Sequence, residues 1–357
     1  MTNHSLPYYA HTMPGVEQIA WLEIRFRLPG AQFGEYLFAK DKNGMVLFEY
    51  GGEPDNLHQL RTAEALFLQA LPLTRLSRSR RDLAKVTDLV HQSADFGRAV
   101  NAWTRQRKLP GHPRYRVICH KYGKHDYRLG DLYRAAVAGM NARYPHWPMV
   151  EEGADLEVWV NLLGSQLLCG VRLSDRRKKK GAPADSLRPS VAAAMVFLTE
   201  PDSADVFLDP LCCRGTVLRE RRFAGRYGRL LAGERAQEQI AAARKALIIP
   251  RRRALPKATH LFRWDTQRLP LADRSIDKVA SALPSGRGAG TRLYPALFAE
   301  LARVLRPGGR AVLLSSTFEL VKETVRRQAG LEIMTGYSMA VAGRWGRIYI
   351  IKRTLDD

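Results

Sequence analysis

Three acidic residues follow candidate strands in the second half of the chain. Asp209 ends the first strand-like run, Glu234 ends the second, and Asp265 comes directly after a third. Ligands of an open parallel sheet bind beyond the carboxyl ends of its strands, near the point where the strand order reverses. A carboxylate there could accept hydrogen bonds from both hydroxyls of a ribose. A single strand-end acid is often only a helix cap, but three in succession predict a ligand crevice, which we place at Asp209-Pro210.

Two turns complete this set of candidate residues. The first leads from Asp209 through Cys212 and Gly215 to Thr216, which begins a helical pattern. The second follows the fourth candidate strand and reads Ala282-Leu283-Pro284-Ser285. Acids at successive strand ends followed by a Leu-Pro turn form the strongest functional signal in the sequence.

The elements that must position these residues alternate between strand and helix from about residue 190 onward. Such alternation is typical of a parallel sheet with helices on both faces. We therefore predict an α/β fold, a doubly wound Rossmann-like sheet that ends in an antiparallel hairpin. The predicted strands are 205–210, 229–234, 276–281, 310–315, 331–341 and 347–352, and the clearest helices are 190–199, 237–247 and 294–305.

The first half of the chain has a different texture. Residues 1–70 read as a small α+β unit, with helices at 16–28 and 57–70 and a strand at 45–50. Residues 71–174 begin with a basic segment and an amphipathic helix, and they close with a hairpin turning at Gly164-Ser165. The basic run 175–189 is predicted to link this part to the doubly wound domain at 190–357.

The charge balance points to an anionic partner. The chain has 57 Lys and Arg against 35 Asp and Glu, a formal net charge of +22 and a pI near 10.2. Nucleic acid and acidic membrane surfaces both attract such a field, although some proteomes are simply rich in arginine. The sequence shows neither a signal peptide nor a run long enough to span a membrane. Nucleic acid is therefore the favoured partner.

The four cysteines lack paired Cys-x-x-Cys spacing. This spacing favours neither a disulfide framework nor a zinc site. We expect a protein of the reducing cytoplasm, without a metal site and without a membrane partner. The sequence predicts no oligomeric state.

Four motifs are spread across nearly the whole chain, namely Thr12-Met-Pro-Gly-Val-Glu17, Leu60-Arg-Thr-Ala63, Leu187-Arg-Pro-Ser-Val-Ala-Ala193 and Asp209-Pro-Leu-Cys-Cys-Arg-Gly-Thr216. They resemble motifs of one enzyme family, the Rossmann-like S-adenosylmethionine-dependent methyltransferases that carry an RNA-binding THUMP domain and modify guanosine in tRNA. On this resemblance, 1–70 would be a ferredoxin-like domain and 71–174 a THUMP-like domain.

The resemblance implies a role for each candidate residue. The loop from Asp209 to Thr216 would hold the methionine end of the cofactor, Glu234 its ribose, and Asp265 its adenine amine. The residues implied in cofactor binding are Pro189, Ser190, Asp209, Pro210, Cys212, Gly215, Thr216, Glu234 and Asp265, and the catalytic loop is Ala282, Leu283, Pro284 and Ser285.

The chain departs from the family pattern at two places. Cys213 replaces a loop glycine. Glycine has no Cβ and therefore lets the backbone approach the cofactor or take a positive φ. Ala282 replaces the Asp or Asn whose oxygen orients the guanine amine, and Ser285 replaces an aromatic residue that stacks on the base.

Three functions are compatible with these observations. The first is a tRNA methyltransferase that acts on the exocyclic N2 of a guanosine. The second is a tRNA-binding or RNA-binding protein whose methyltransferase domain has impaired or no activity. The third, a small-molecule or protein methyltransferase, ranks last because it leaves the basic first half without a role.

Overall fold

The chain divides into two compact units. The first contains Met1–Thr12 and Ala20–Arg176, and the second contains Met13–Ile19 and Arg177–Asp357. The structure, a computed structural model, describes residues 5–39, 43–109, 111–176, 187–248, 256, 258–284, 292–341 and 344–355.

The first unit is built on one eight-stranded sheet. Its elements are β1 (Leu6–Thr12), most of α1 (Glu17–Arg27, from Ala20 onward), β2 (Gln32–Ala39), β3 (Asn43–Tyr50), β4 (Ala65–Gln69), β5 (Thr74–Arg75), α2 (Asp82–Gln92), α3 (Ala94–Gln106), β6 (Tyr115–Tyr122), α4 (Leu129–Arg143), β7 (Leu156–Leu163) and β8 (Gln166–Asp175). The strand order is β2-β3-β1-β4-β8-β7-β6, with β5 paired to β8. Strands from 1–70 and from 71–174 therefore share one sheet, and the division at residue 70 stays a prediction.

The predicted helix at 57–70 is wrong. A 3₁₀ helix covers Pro54–Gln59, and Ala65–Gln69 form β4, a strand that pairs with β1 and β8. Residues 65–68 are all buried. A short, continuously apolar run of this kind does not distinguish a strand from a buried helix by its periodicity.

The second unit is the predicted doubly wound sheet. Its elements are α5 (Pro189–Leu198), β9 (Val206–Asp209), α6 (Thr216–Phe223), β10 (Arg229–Glu234), α7 (Gln237–Leu247), β11 (Thr259–Arg263), β12 (Ile276–Ala282), α8 (Leu293–Val304), β13 (Leu305–Ser315), α9 (Phe318–Arg327), β14 (Leu331–Val341) and β15 (Arg344–Arg353). The strand order is β11-β10-β9-β12-β13-β15-β14.

The strand directions confirm both parts of the fold prediction. Strands β9 to β13 pair in parallel, and β15 pairs antiparallel with both β13 and β14. From β9 the chain moves outward through β10 to β11 and then returns to place β12 on the other side of β9. The strand order therefore reverses between β9 and β12, and this is the place where a ligand crevice is expected.

Candidate functional site

Asp209 ends β9 at the reversal point and is tied to the neighbouring strand. Its side chain is 1% exposed, and its Oδ1 accepts hydrogen bonds from the Ser281 hydroxyl at 2.7 Å and the Leu211 N–H at 3.3 Å. Burial raises the pKa of this carboxyl to about 7; the nearby Glu234 charge adds to the shift, and the two hydrogen bonds oppose it. Asp209 is thus a buried acid that holds β9 against β12.

The turn after β9 uses the left-handed backbone region twice. Gly215 has φ +75°, and a Cβ added there would lie 3.1 Å from the Cβ of Ala243, so only glycine fits without displacement. Cys213 has φ +43° although it carries a side chain, and that side chain is exposed. The neighbouring thiol of Cys212 is buried, which raises its pKa. Cys213 therefore adopts the conformation for which the sequence comparison expected a glycine.

Glu234 ends β10 and holds this turn in place. Its Oε2 accepts a hydrogen bond from the backbone N–H of Cys213 at 3.2 Å, and its Oε1 accepts one from the N–H of Arg235 at 2.8 Å. Both oxygens are thereby oriented by backbone donors, and each keeps further lone pairs for a ligand.

Trp264 and Thr266 form a floor beside the turn, and Asp265 lies between them. The indole Nε1 of Trp264 and the hydroxyl of Thr266 both donate to the carbonyl of Pro210, at 3.1 and 3.2 Å. The Trp264 ring lies directly over Gly233, where an added Cβ would come within 2.1 Å of it. The carboxylate of Asp265 accepts a bond from the N–H of Gln267 at 3.0 Å and remains exposed.

The loop after β12 is fixed through its backbone. The N–H of Leu283 donates to the carbonyl of Leu314 at 2.8 Å, and the carbonyl of Pro284 accepts a bond from the hydroxyl of Tyr294 at 3.0 Å. The Leu283 side chain is buried, whereas Ala282 is half-buried. Ser285 lies outside the described residues.

These segments enclose a cavity of about 480 Å³ at the carboxyl ends of β9 to β12. Four predicted site residues line it, namely Glu234, Asp265, Ala282 and Pro284. The other lining residues are Leu211, Cys213, Arg235, Thr266, Gln267, Arg292 and Leu293. Its volume suits a ligand of nucleoside size or larger.

The remaining predicted residues do not line this cavity within the described part of the chain. Pro189 is the first residue of α5, Ser190 is buried beside it, and Thr216 begins α6. Asp209, Pro210, Cys212, Gly215 and Leu283 are sequence neighbours of lining residues or belong to the same turns, but they are not lining residues themselves. A role in ligand binding for any of these residues stays a prediction.

Sequence reasoning missed three residues that matter to the geometry. Trp264 and Thr266 flank Asp265 in the sequence, so their position next to a predicted site residue could have identified them. Arg292 follows the Leu-Pro turn by eight residues, and no motif marked it.

The polar groups that line the cavity are complementary to those of a nucleoside. Glu234 and Asp265 offer carboxylate oxygens, which accept hydrogen bonds from hydroxyl and amine groups. Arg235 and Arg292 contribute positive charge to the same cavity. Among the described residues, no group of three His, Cys, Asp or Glu side chains is arranged to hold a metal ion. No helix in the described ranges is long and apolar enough to cross a membrane.

Comparisons with known proteins agree with this geometry. Residues 175–345 match the model of a family described as UPF0020, RMKL-like, methyltransferase domain. The chain is 26% identical over 262 residues to tRNA (guanine(6)-N(2))-methyltransferase THUMP3 of Bos taurus; this match covers 68% of the chain and 51% of the relative. The chain therefore spans about half the length of its mammalian relatives.

Two further comparisons involve Thermus thermophilus. The chain is 24% identical to tRNA (guanine(6)-N2)-methyltransferase of that organism, over 69% of the chain and 74% of the relative. The crystal structure of TrmN from Thermus thermophilus superposes with a TM-score of 0.78 at 22% identity, covering 98% of this chain and 100% of TrmN. This structural similarity extends through both units and shows that the fold is shared.

Proposed function

We propose that this chain, whose residues 175–345 match the model of the RMKL-like methyltransferase domain, transfers a methyl group from S-adenosylmethionine to the exocyclic N2 of a guanosine in tRNA. One observation carries the proposal. Glu234 ends β10 and Asp265 follows the end of the neighbouring parallel strand β11 by two residues, and both line the same cavity, beside the reversal point marked by Asp209. Two relatives whose names specify guanine-N2 methylation of tRNA support the choice of substrate.

We assign the cofactor contacts residue by residue. Glu234 would accept hydrogen bonds from the ribose hydroxyls through lone pairs not used by Cys213 and Arg235. Asp265 would accept one from the adenine amine, and the turn from Asp209 to Thr216 would hold the methionine end. The bound cofactor supplies a methyl group on a positively charged sulfur.

The target base would be extruded from the RNA and held at the Ala282–Pro284 end of the cavity. Because Ala282 offers no side-chain acceptor, the carbonyl of Leu283, between two residues that line the cavity, would accept a hydrogen bond from the guanine amine. Methyl transfer would release S-adenosylhomocysteine, and the proton lost from N2 would pass to solvent. Positioning of this kind supplies much of the acceleration in a displacement reaction. The net charge of +22 would draw the tRNA through its phosphates. The cytoplasm is the compartment in which we expect this reaction.

A second candidate function rests on the same loops. Ala282 lacks the amide or carboxylate acceptor of the family, and Cys213 adds a side chain at a left-handed position on the cavity wall. Losing one preorganised partner commonly costs about 3 kcal/mol at a transition state. The chain would then be a tRNA-binding protein in which methyl transfer is impaired or absent.

The purified protein should transfer a radiolabelled methyl group from S-adenosylmethionine to unmodified tRNA. The Glu234→Ala variant should transfer little, and free guanosine should be a poor substrate. No label on tRNA, with a related active enzyme as positive control, would refute the proposed activity. Efficient labelling of a small molecule or protein instead would favour a different methyltransferase class.

A further inference from the structure

A buried hydroxyl network lies directly behind the candidate catalytic loop. Tyr294, the second residue of α8, is fully buried, and its hydroxyl lies 3.0 Å from the carbonyl oxygen of Pro284. The preceding residue, Leu293, lines the cavity. Helix α8 thus begins at the cavity and reaches the loop through its second side chain.

Two further hydroxyls join Tyr294. The Ser315 hydroxyl lies 3.0 Å from that of Tyr294, and the Thr317 hydroxyl donates to Tyr294 at 3.2 Å. Ser315 and Thr317 are themselves 2.9 Å apart, and Ser315 also accepts the N–H of Thr317 at 3.0 Å. These three hydroxyls form a closed triangle at the end of β13.

The direction of one hydrogen bond in this network is fixed by chemistry. A phenol hydroxyl has a single proton to donate, and a backbone carbonyl can only accept. The proton of Tyr294 is therefore directed to Pro284, while Ser315 and Thr317 donate toward the phenol oxygen or toward each other. The loop is held from two sides, through the Leu283 N–H bonded to Leu314 and through the Pro284 carbonyl bonded to Tyr294.

We infer that Tyr294 is a positioning residue, which sets the backbone of Leu283 and Pro284 where a guanine amine is presented. This inference rests on the proposed function for the identity of the base. The need for such a residue follows from Ala282, because a loop without a side-chain acceptor depends on its backbone for orientation. The bond from Tyr294 fixes the Pro284 carbonyl directly after the Leu283 carbonyl, which is the acceptor proposed for the base.

The test compares two substitutions that each remove one buried phenol hydroxyl from the second unit. Tyr294→Phe deletes the bond to Pro284. Tyr349→Phe is the matched control, because Tyr349 is also buried and its hydroxyl donates to a backbone carbonyl outside the loop, that of Phe318 at 3.4 Å. With tRNA as substrate, Tyr294→Phe should lower kcat about tenfold or more, with the KM for S-adenosylmethionine unchanged. Tyr349→Phe should leave kcat within about twofold of the wild type.

The same substitution in an Ala282→Asn variant distinguishes a positioning role of Tyr294 from a general loss of stability. Ala282→Asn supplies a side-chain acceptor, so in that background Tyr294→Phe should cost less than about threefold in kcat. Equal losses in both backgrounds, or equal losses for Tyr294→Phe and Tyr349→Phe, would overturn the inference.

Amide hydrogen exchange keeps this inference distinct from the proposed reaction. The Leu283 amide should exchange faster in Tyr294→Phe than in wild type or Tyr349→Phe, whether or not any methyl group is transferred. If the wild type transfers no methyl group but the Leu283 amide still exchanges faster in Tyr294→Phe, the role of Tyr294 is supported and only the proposed reaction is refuted. Unchanged exchange at Leu283 would refute the role of Tyr294.

Discussion

The backbone N–H of Cys213 donates to Oε2 of Glu234 at 3.2 Å, which joins the turn after β9 to the acid at the end of β10. The same carboxylate lines the cavity, and its other oxygen is held by the N–H of Arg235. A ligand that binds Glu234 therefore contacts a group that also fixes the turn. Changes at either residue should affect both ligand affinity and the conformation of the turn.

Replacing Glu234 tests this joint role. Glu234→Ala removes an ionised acceptor from the cavity and releases the Cys213 N–H. Hydrogen bonds to charged groups contribute about 1.5–3 kcal/mol each, so the affinity for S-adenosylhomocysteine should fall at least about tenfold in calorimetric titration. Glu238→Ala, at an exposed acid in the first turn of α7, is the control and should bind like the wild type. Equal affinities for the two variants would contradict the assignment of the ribose acid.

Replacing Cys213 tests the cost of its backbone conformation. The left-handed region is unfavourable for residues with a Cβ by about 1–2 kcal/mol. Glycine avoids this cost, but it also makes the unfolded chain more flexible, which offsets part of the gain in stability. Cys213→Gly should therefore raise the free energy of unfolding by about 0.5–1 kcal/mol relative to Cys213→Ala, which keeps the Cβ. Urea denaturation of the two variants measures this difference. If the glycine variant is no more stable than the alanine variant, then φ +43° at Cys213 is not a source of strain.

The pKa of Asp209 predicts a pH dependence of stability. The folded value of about 7 lies above the ordinary value of 3.8, so the folded protein keeps a proton that the unfolded chain releases. The contribution of Asp209 to the free energy of unfolding should be greatest below about pH 4. It should fall as the pH rises to about 7, by at most about 1.4 kcal/mol per pH unit. Asp209→Asn should remove this component.

Denaturation at pH 5 and pH 8 compares the two proteins. Asp209→Asn should lose less stability than wild type over that interval. Parallel pH profiles would show that Asp209 does not titrate in this range in the folded protein.

The sequence was sufficient to predict the doubly wound sheet, its terminal hairpin and the acids at the strand ends. These features depend on local periodicity and on the general rule that ligands bind at the carboxyl edge of a parallel sheet. The helix predicted at 57–70 failed because the buried strand Ala65–Gln69 owes its identity to its partners β1 and β8. Pairing between distant strands leaves no local signal in such a short apolar run.

The supporting side chains of the site were equally hard to predict. Trp264 bonds to Pro210, 54 residues earlier, and Tyr294 bonds to Pro284 and Ser315 across three elements. Such contacts are set by the packing of the folded unit. The resemblance marked Cys213 as a position where the family has glycine, for close backbone approach or for a positive φ, and only the structure shows the positive φ.

Arg221 should be essential to the stability of the second unit. Its guanidinium is fully buried and donates to the carbonyl of Asp202 at 2.7 Å and that of Arg226 at 3.1 Å, with the carboxylate of Asp205 at 3.5 Å. Arg221→Met would leave the buried carboxylate of Asp205 without its charged partner, and breaking a buried pair in this way costs about 3–5 kcal/mol. Arg244→Met, at an exposed position of α7, should cost less than about 1 kcal/mol. Similar unfolding midpoints for the two variants would contradict this assignment.

Restoring a side-chain acceptor beside the base should increase transfer. Ala282→Asn places an amide oxygen where the related family has one, and Ala282 already lines the cavity. We expect kcat on tRNA to rise by about tenfold, since one preorganised partner is commonly worth that much or more. Ala282→Val, which adds bulk without an acceptor, should not raise it. An equal response to both substitutions would show that Ala282 is not the position that orients the amine.

The most direct measurement is nucleoside mass spectrometry of unmodified tRNA incubated with the purified protein and S-adenosylmethionine. The proposed function predicts a single new nucleoside, N2-methylguanosine, which is absent without the cofactor and strongly reduced with Glu234→Ala. A complete absence of methylated nucleosides from tRNA that binds the protein, or a methyl group on a different base, would contradict it.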